Sequence, residues 1–229
     1  MMSKEKQEVN YEELTKEELL EIIEDAKQET EDYKNALVEI AEALDEEEEL
    51  TEIDKVEGVL FSERMLYIHD EISQETLSQV SPLIDYYNLK DKDIPIEERK
   101  TIYIKIGTYG GEAYETLGII DSIENSETPI HVHVEGKAMS AGFYIWASAK
   151  TRSMGKRAVL MYHQMQLNGL SGTLQQLTNQ INELKRMQDN LDELIIENLN
   201  VPKEKITEIN NASQDWYIDY KLATEYKMF

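Results

Sequence analysis

Cysteine is missing altogether from these 229 residues. With it go a disulfide framework, a cysteine-ligated metal site and a thiol nucleophile. Long apolar runs are missing too: nothing approaches the ~20 residues that cross a bilayer, so no transmembrane helix is expected. Basic residues are scarce. The 23 Lys and Arg stand against 47 Asp and Glu, a net charge of −24, which disfavours nucleic acid and anionic membranes because phosphate binding needs clustered cations. The opening MMSKEKQEVNYEELTKEE is polar and acidic and has no apolar leader segment, so the expected location is cytoplasmic. No G-x-x-x-x-G-K-[ST] occurs, so no nucleotide site of that kind is expected in this chain. What is present is 41% apolar residues, enough for one mid-sized domain with a real core plus an appendage.

The charge is unevenly spread. Positions 1–57 hold 22 acidic and 6 basic residues, about two thirds of the net charge, which sets residues 1–55 apart as an acidic extension from a mildly acidic domain, 56–229. The extension reads as a helix from Leu14 to Leu44. Thr15 and Glu18 have capping-box spacing, and Leu19, Ile23, Ala26, Tyr33, Leu37, Ile40 and Leu44 recur in a 3-4 alternation that makes a narrow apolar stripe. The helix should end near the acid run Asp45 to Glu49. Such a helix either lies solvated on its own protein or docks to another copy or partner.

From Val56 onward short β-type runs alternate with helical ones. Met65 to Ile68, Ile102 to Ile106, Ile130 to Val134 and Ala158 to Tyr162 read as strands. Gln74 to Asn88, Glu112 to Ile123 and Ser140 to Lys150 read as helices, an α/β layer architecture. The longest helix runs about Ser171 to Leu199 with Leu174, Leu177, Ile181, Leu184, Met187, Leu191, Leu194 and Ile195 on one face. Its length suggests that it projects to meet another subunit, and Asn200-Val201-Pro202 ends it.

Three places suit chemistry. Gly107-Thr108-Tyr109-Gly110-Gly111 follows a strand, and paired glycines let backbone N–H groups approach a ligand, although such a turn is equally a plain structural one. Gly136-Lys137-Ala138-Met139-Ser140-Ala141-Gly142 places one hydroxyl at a strand-to-helix junction, where free N–H donors can hold an oxyanion. A serine there can also merely cap the helix. Leu160-Met161-Tyr162-His163-Gln164 ends an apolar strand in a histidine, a suitable general base at a cleft edge. The other histidines are plainer: His131 and His133 alternate with Ile130, Val132 and Val134 on the opposite strand face, and His69 sits among charges.

Taken in order, Gly110-Gly111, Gly-x-Ala-x-Ser-x-Gly around Ser140, Gly155-Lys156-Arg157, Met-x-His-Gln around His163, Gln214-Asp215-Trp216-Tyr217 and Ala223-Thr224-Glu225-Tyr226 resemble the proteolytic subunit of the Clp protease (ClpP), over Val56 to Phe229. The helix after Leu170 resembles that family's handle helix. Matched position by position, the resemblance implies that Ser140 is the nucleophile, His163 the general base and Asp215 the carboxylate that orients it. The N–H groups of Gly111 and Ala141 would form the oxyanion hole. Asp219 competes for the acid role but sits outside the motif. The chain departs from the family pattern at Tyr109, where proline is usual; at Ala141, where Met usually follows the nucleophile; at Gln214, where arginine is usual; and at Lys227, where glycine is usual. The acidic helix has no counterpart in the family's short axial loops. These departures suit a divergent, phage-type member.

The resemblance implies a ClpP/crotonase-like ββα spiral with a long protruding handle helix. It implies a serine endopeptidase acting on unfolded polypeptides inside two stacked heptameric rings, fed by an AAA+ unfoldase. No cofactor is expected in this chain; ATP would bind only the partner unfoldase. Alternatives are a phage capsid-maturation or scaffold-processing peptidase of the same fold, a non-catalytic assembly subunit, and an acyl-CoA enzyme of the crotonase superfamily.

Overall fold

The computed structural model describes residues 15–45, 52–167, 169 and 171–229. Two compact units divide the chain, the first reaching to Lys55 and the second running Val56–Phe229. In the first, helix α1 spans Lys16–Asp45, and the Thr15 carbonyl accepts the Leu19 N–H at 3.0 Å to start its ladder. Ile23 and Tyr33 of the expected stripe are exposed. The Glu18, Leu37, Ile40 and Leu44 side chains, Leu14, and the acid run beyond Asp45 lie outside the described residues.

The second unit is built on a six-stranded sheet. Strands β1 (Met65–Ile68), β2 (Ile102–Thr108), β3 (Ile130–Met139), β5 (Val159–Tyr162) and β6 (Trp216–Asp219) follow one another across it, and β4 (Thr151–Met154) also pairs with β3. All pairings are parallel except β5 with β6. Strand β3 is longer than its apolar alternation suggests. Its first half pairs with β4, His131 opposite Thr151, and its second half with β5, Met139 opposite Met161. That second half carries the chain directly to Ser140.

One face of the sheet is apolar. Ile102, Ile104, Ile106, Val132 and Val134 are fully buried there, as period-two alternation requires of a half-covered strand. Helices α3 (Gln74–Lys90), α4 (Ala113–Glu124) and α5 (Ala141–Ser148) supply much of the rest of the core. Every residue of α5 is buried, so the helix that follows Ser140 is itself core. Burying Phe143, Ile145 and Trp146 there contributes roughly 1.5–3 kcal/mol per side chain, and this fixes the strand-to-helix junction in place. His131 and His133 share the opposite face, as their alternation predicts, and both contact the Ser153 hydroxyl, at 2.7 and 2.8 Å.

The long helix α6 runs Leu174–Leu199, three residues shorter at its start than the sequence reading. Thr173 is the reason: it forms a capping box with Gln176. The apolar stripe of α6 divides. Met187, Leu191 and Ile195 are buried in the core, whereas Leu174 is 83% and Ile181 43% exposed. Asn200 ends the helix in the left-handed conformation. Helices α2 (Glu52–Ser62), α7 (Lys203–Ala212) and α8 (Tyr220–Glu225) complete the order. The mixed sheet with its long helix is consistent with the fold that the sequence resemblance implies.

Candidate active site

Strand β3 ends at Met139 and α5 begins at Ala141, leaving Ser140 to make the whole turn. Its backbone sits at φ 52°, ψ −120°, a conformation that costs a non-glycine residue of order 1–3 kcal/mol. The Ser140 N–H donates to the Met161 carbonyl at 2.9 Å, so the strained turn is tied to β5. Although Ser140 stands at the N-cap position, its side chain makes no capping bond. The hydroxyl is therefore not used to satisfy the helix, and it lines a cavity of about 390 Å³. That is the arrangement of a nucleophile elbow, a strained strand-to-helix turn that exposes one hydroxyl.

The two glycines after β2 shape the opposite wall. A Cβ at Gly110 would stand 2.8 Å from the Ser140 Cβ and 3.1 Å from the Ala141 nitrogen, and one at Gly111 would stand 2.1 Å from the Ile72 carbonyl oxygen. Only glycine permits both approaches. The neighbouring bonds, Ile72 N–H to Gly110 O at 2.9 Å and Glu112 N–H to Ile72 O at 2.8 Å, anchor the loop and pass over the Gly111 N–H. Among the described residues, neither that N–H nor the Ala141 N–H, the first of α5, has an acceptor. Both residues line the cavity with Ser140, so two free backbone donors flank the hydroxyl.

His163 follows β5 by one residue and lines the same cavity. Its Nδ1 lies 2.6 Å from the Gln164 carbonyl oxygen. A carbonyl only accepts, so Nδ1 is the donor in this contact, which leaves Nε2 for another partner. Asp215 stands apart from this bond. The antiparallel pairing ends at Tyr162 with Trp216, and one further step in that register sets His163 opposite Asp215. The Asp215 side chain is exposed, and no hydrogen bond joins it to His163 among the described residues. Asp219 is engaged elsewhere, its Oδ1 accepting the Leu222 N–H at 2.8 Å as the N-cap of α8.

Of the expected site residues, Ser140, His163, Gly111 and Ala141 thus share one cavity, and Asp215 is not among its lining. Tyr109, which replaces the usual proline, is 74% exposed at the rim, with Lys137 Nζ 4.3 Å from its ring centre. The sequence reading did not find the floor. Tyr144, Met165, Leu184, Met187 and Leu191 line it, and they come from α5, α6 and the segment after His163. Behind that floor lies a polar cluster of Tyr144, Tyr162, Gln188, Asp192 and Asn210. Burial pushes the Tyr144 and Tyr162 hydroxyls well above the usual phenol range, and burial also raises the Asp192 carboxyl. Among the described residues no group of three or more acidic or histidine side chains is arranged to hold a metal.

Residues 45–228 match the model of the family described as Clp protease. An ATP-dependent Clp protease proteolytic subunit 1 of Prochlorococcus marinus (strain MIT 9312) is 27% identical over 169 residues, covering 73% of this chain and 82% of that protein. The protein of the same description from Rhodopirellula baltica is 27% identical over 174 residues, 73% of this chain and 71% of its own length. An Arabidopsis thaliana protein described as ATP-dependent Clp protease proteolytic subunit-related protein 2, chloroplastic, is 24% identical over 150 residues, 65% of this chain and 52% of its own.

Proposed function

The chain belongs to the Clp protease family, and we propose that it is a serine endopeptidase in which Ser140 attacks the peptide carbonyl and His163 takes its proton. The single observation that carries this reading is the Ser140 turn. Its strain, its uncapped hydroxyl and the free Gly111 and Ala141 N–H groups beside it have no structural use that a plain helix start would need. In the reaction, Ser140 Oγ bonds to the carbonyl carbon and passes its proton to His163 Nε2. The two N–H groups hold the oxyanion. Collapse of the adduct expels the amine, which takes the proton from His163, and water then hydrolyses the acyl-enzyme by the same steps in reverse.

Asp215 is the proposed third member. It acts when the His163 Nδ1–H leaves the Gln164 carbonyl for the carboxylate across the β5–β6 register, which holds the imidazolium as it forms. The proposed assembly is a pair of stacked heptameric rings joined by their α6 helices. The curated relatives are described as ATP-dependent, and an ATP-driven AAA+ unfoldase is the proposed partner that delivers unfolded chains. A second reading, a subunit that assembles without cleaving, is favoured by one observation: the unjoined His163 and Asp215.

Hydrolysis of an unstructured fluorogenic peptide separates the two. The wild-type protein should cleave it, and Ser140→Ala should lower kcat by on the order of 10⁴-fold or more. A wild-type protein that forms its assembly but cleaves no faster than Ser140→Ala would leave the non-cleaving reading.

A further inference from the structure

Among the described residues the segment that carries His163 has no strand partner of its own beyond Tyr162, yet it must hold an imidazole steady at the cavity edge. Its two flanks are fastened to one side chain of α6 and that side chain's neighbour. The Met165 N–H, two residues after His163, donates to Gln188 Oε1 at 2.6 Å. Gln188 Nε2 in turn donates to Asp192 Oδ1 at 2.7 Å. The Tyr162 hydroxyl, from the residue just before His163, donates to the same Asp192 Oδ1 at 2.6 Å. Asn210 of α7 closes the set through Nδ2 to Asp192 Oδ2 at 2.7 Å.

Gln188 is 7% exposed. A glutamine on a buried helix face is costly unless its amide is bonded, and here the carbonyl end serves the catalytic segment and the amine end serves the carboxylate. We propose that Gln188 is a positioning residue for the general base: it fixes the 162–165 backbone through Met165 while Asp192 fixes Tyr162, so that His163 is presented to Ser140 from both sides. Gln188 touches neither substrate nor the reacting atoms.

The inference rests on the reading of Ser140 and His163 as nucleophile and base, and the test separates the two. The rate of Ser140 acylation by a fluorophosphonate is measured with kcat and KM for a fluorogenic peptide, in wild type, Gln188→Ala and Gln188→Glu. A wild type that does not label overturns the underlying reading itself. Given a labelling wild type, Gln188→Ala should acylate and turn over about 10- to 100-fold more slowly, the cost of sub-ångström to ångström misplacement of a reacting group, with KM changed less than about twofold. Acylation of Gln188→Ala at the wild-type rate would overturn the positioning role and leave the peptidase reading standing.

Gln188→Glu supplies a readout that packing alone does not move, and it decides the matter should Gln188→Ala fail to fold. The titratable groups bonded to position 188 are Asp192 of α6, Tyr144 of α5 and Tyr162 of β5. Burial and Asp192 would keep the new carboxyl protonated to higher pH than usual. Protonated, it reproduces glutamine: one oxygen accepts from Met165 and the hydroxyl donates to Asp192. The ratio of Gln188→Glu to wild-type kcat should therefore climb at least severalfold from pH 8 to pH 6. A flat ratio would overturn the proposal.

Discussion

Ser140 and Asp219 both stand at the start of a helix and use their side chains in opposite ways. Asp219 spends its carboxylate on the Leu222 N–H, while the Ser140 side chain makes no capping bond to α5. The cap made by Asp219 distinguishes it from Asp215, the proposed third member. Asp215→Asn should lower kcat by on the order of 10²-fold or more while leaving the fold intact, because the amide cannot stabilise the imidazolium. Asp219→Asn should leave kcat within about twofold, since asparagine caps as well as aspartate. Steady-state kinetics on the two variants, with circular dichroism as the folding control, checks both. At this scale the sequence was unevenly legible. Ser140, His163 and the glycine pair sit in short local motifs that left a plain structural role open one by one, and their proposed roles came from the ordered set that resembles the family. Gln188 had no such signature: one polar residue on an amphipathic helix acquires its role only from what the fold lays against it.

At the scale of elements, α3 is tied to the sheet by an ion pair buried at the entrance to β1. Arg64 donates to both Asp91 carboxylate oxygens and, at 2.7 Å, to the Lys100 carbonyl, with its guanidinium 5.0 Å from the Tyr87 ring centre. Arg64 is 7% and Asp91 1% exposed. The hydrogen bond from Arg64 holds the Asp91 carboxyl below its ordinary range. A depressed carboxyl stabilises the fold fully above its unfolded-state pKa and loses that contribution as pH falls through the folded-state value. Asp91→Asn should therefore cost about 3 kcal/mol at pH 7, and the gap to wild type should shrink steadily toward pH 2. Urea denaturation at a series of pH values measures it. A gap that stays constant in acid would assign the loss to packing instead.

The longer elements were readable for a physical reason. Helices α3, α4 and α6 and strands β2 and β3 carry enough apolar residues to show their period. Strands β1, β4, β5 and β6 have four residues each; β1 and β5 stand out as apolar runs, whereas β4 is polar but for Met154 and shows no such run, and α7 and α8 are similarly brief. The length of β3 was hidden by Gly136 and Lys137, which interrupt its apolar pattern just where it turns from β4 to β5.

For the whole molecule, the main asymmetry is in charge and in uncovered apolar surface. The acidic extension is a reading of composition, and its stripe of apolar residues does not say what, if anything, covers it. Helix α6 is more specific. Its C-terminal half is core and its N-terminal half, with Leu174 and Ile181, is open, which suits the proposed contact between rings. Sedimentation should therefore find an assembly many times the 26.6 kDa chain mass, and Ile181→Glu should roughly halve it by parting two rings while each stays closed. A monomeric wild-type protein would count against the ring assembly and leave the chemistry of Ser140 to be judged separately.

That chemistry is tested most directly by intact-mass spectrometry after treatment with a fluorophosphonate, followed by peptide mapping. The expected result is one adduct per chain, on Ser140, absent from Ser140→Ala and strongly slowed in His163→Ala. An adduct on another residue, or one that persists in Ser140→Ala, would contradict the assignment of Ser140 as the nucleophile.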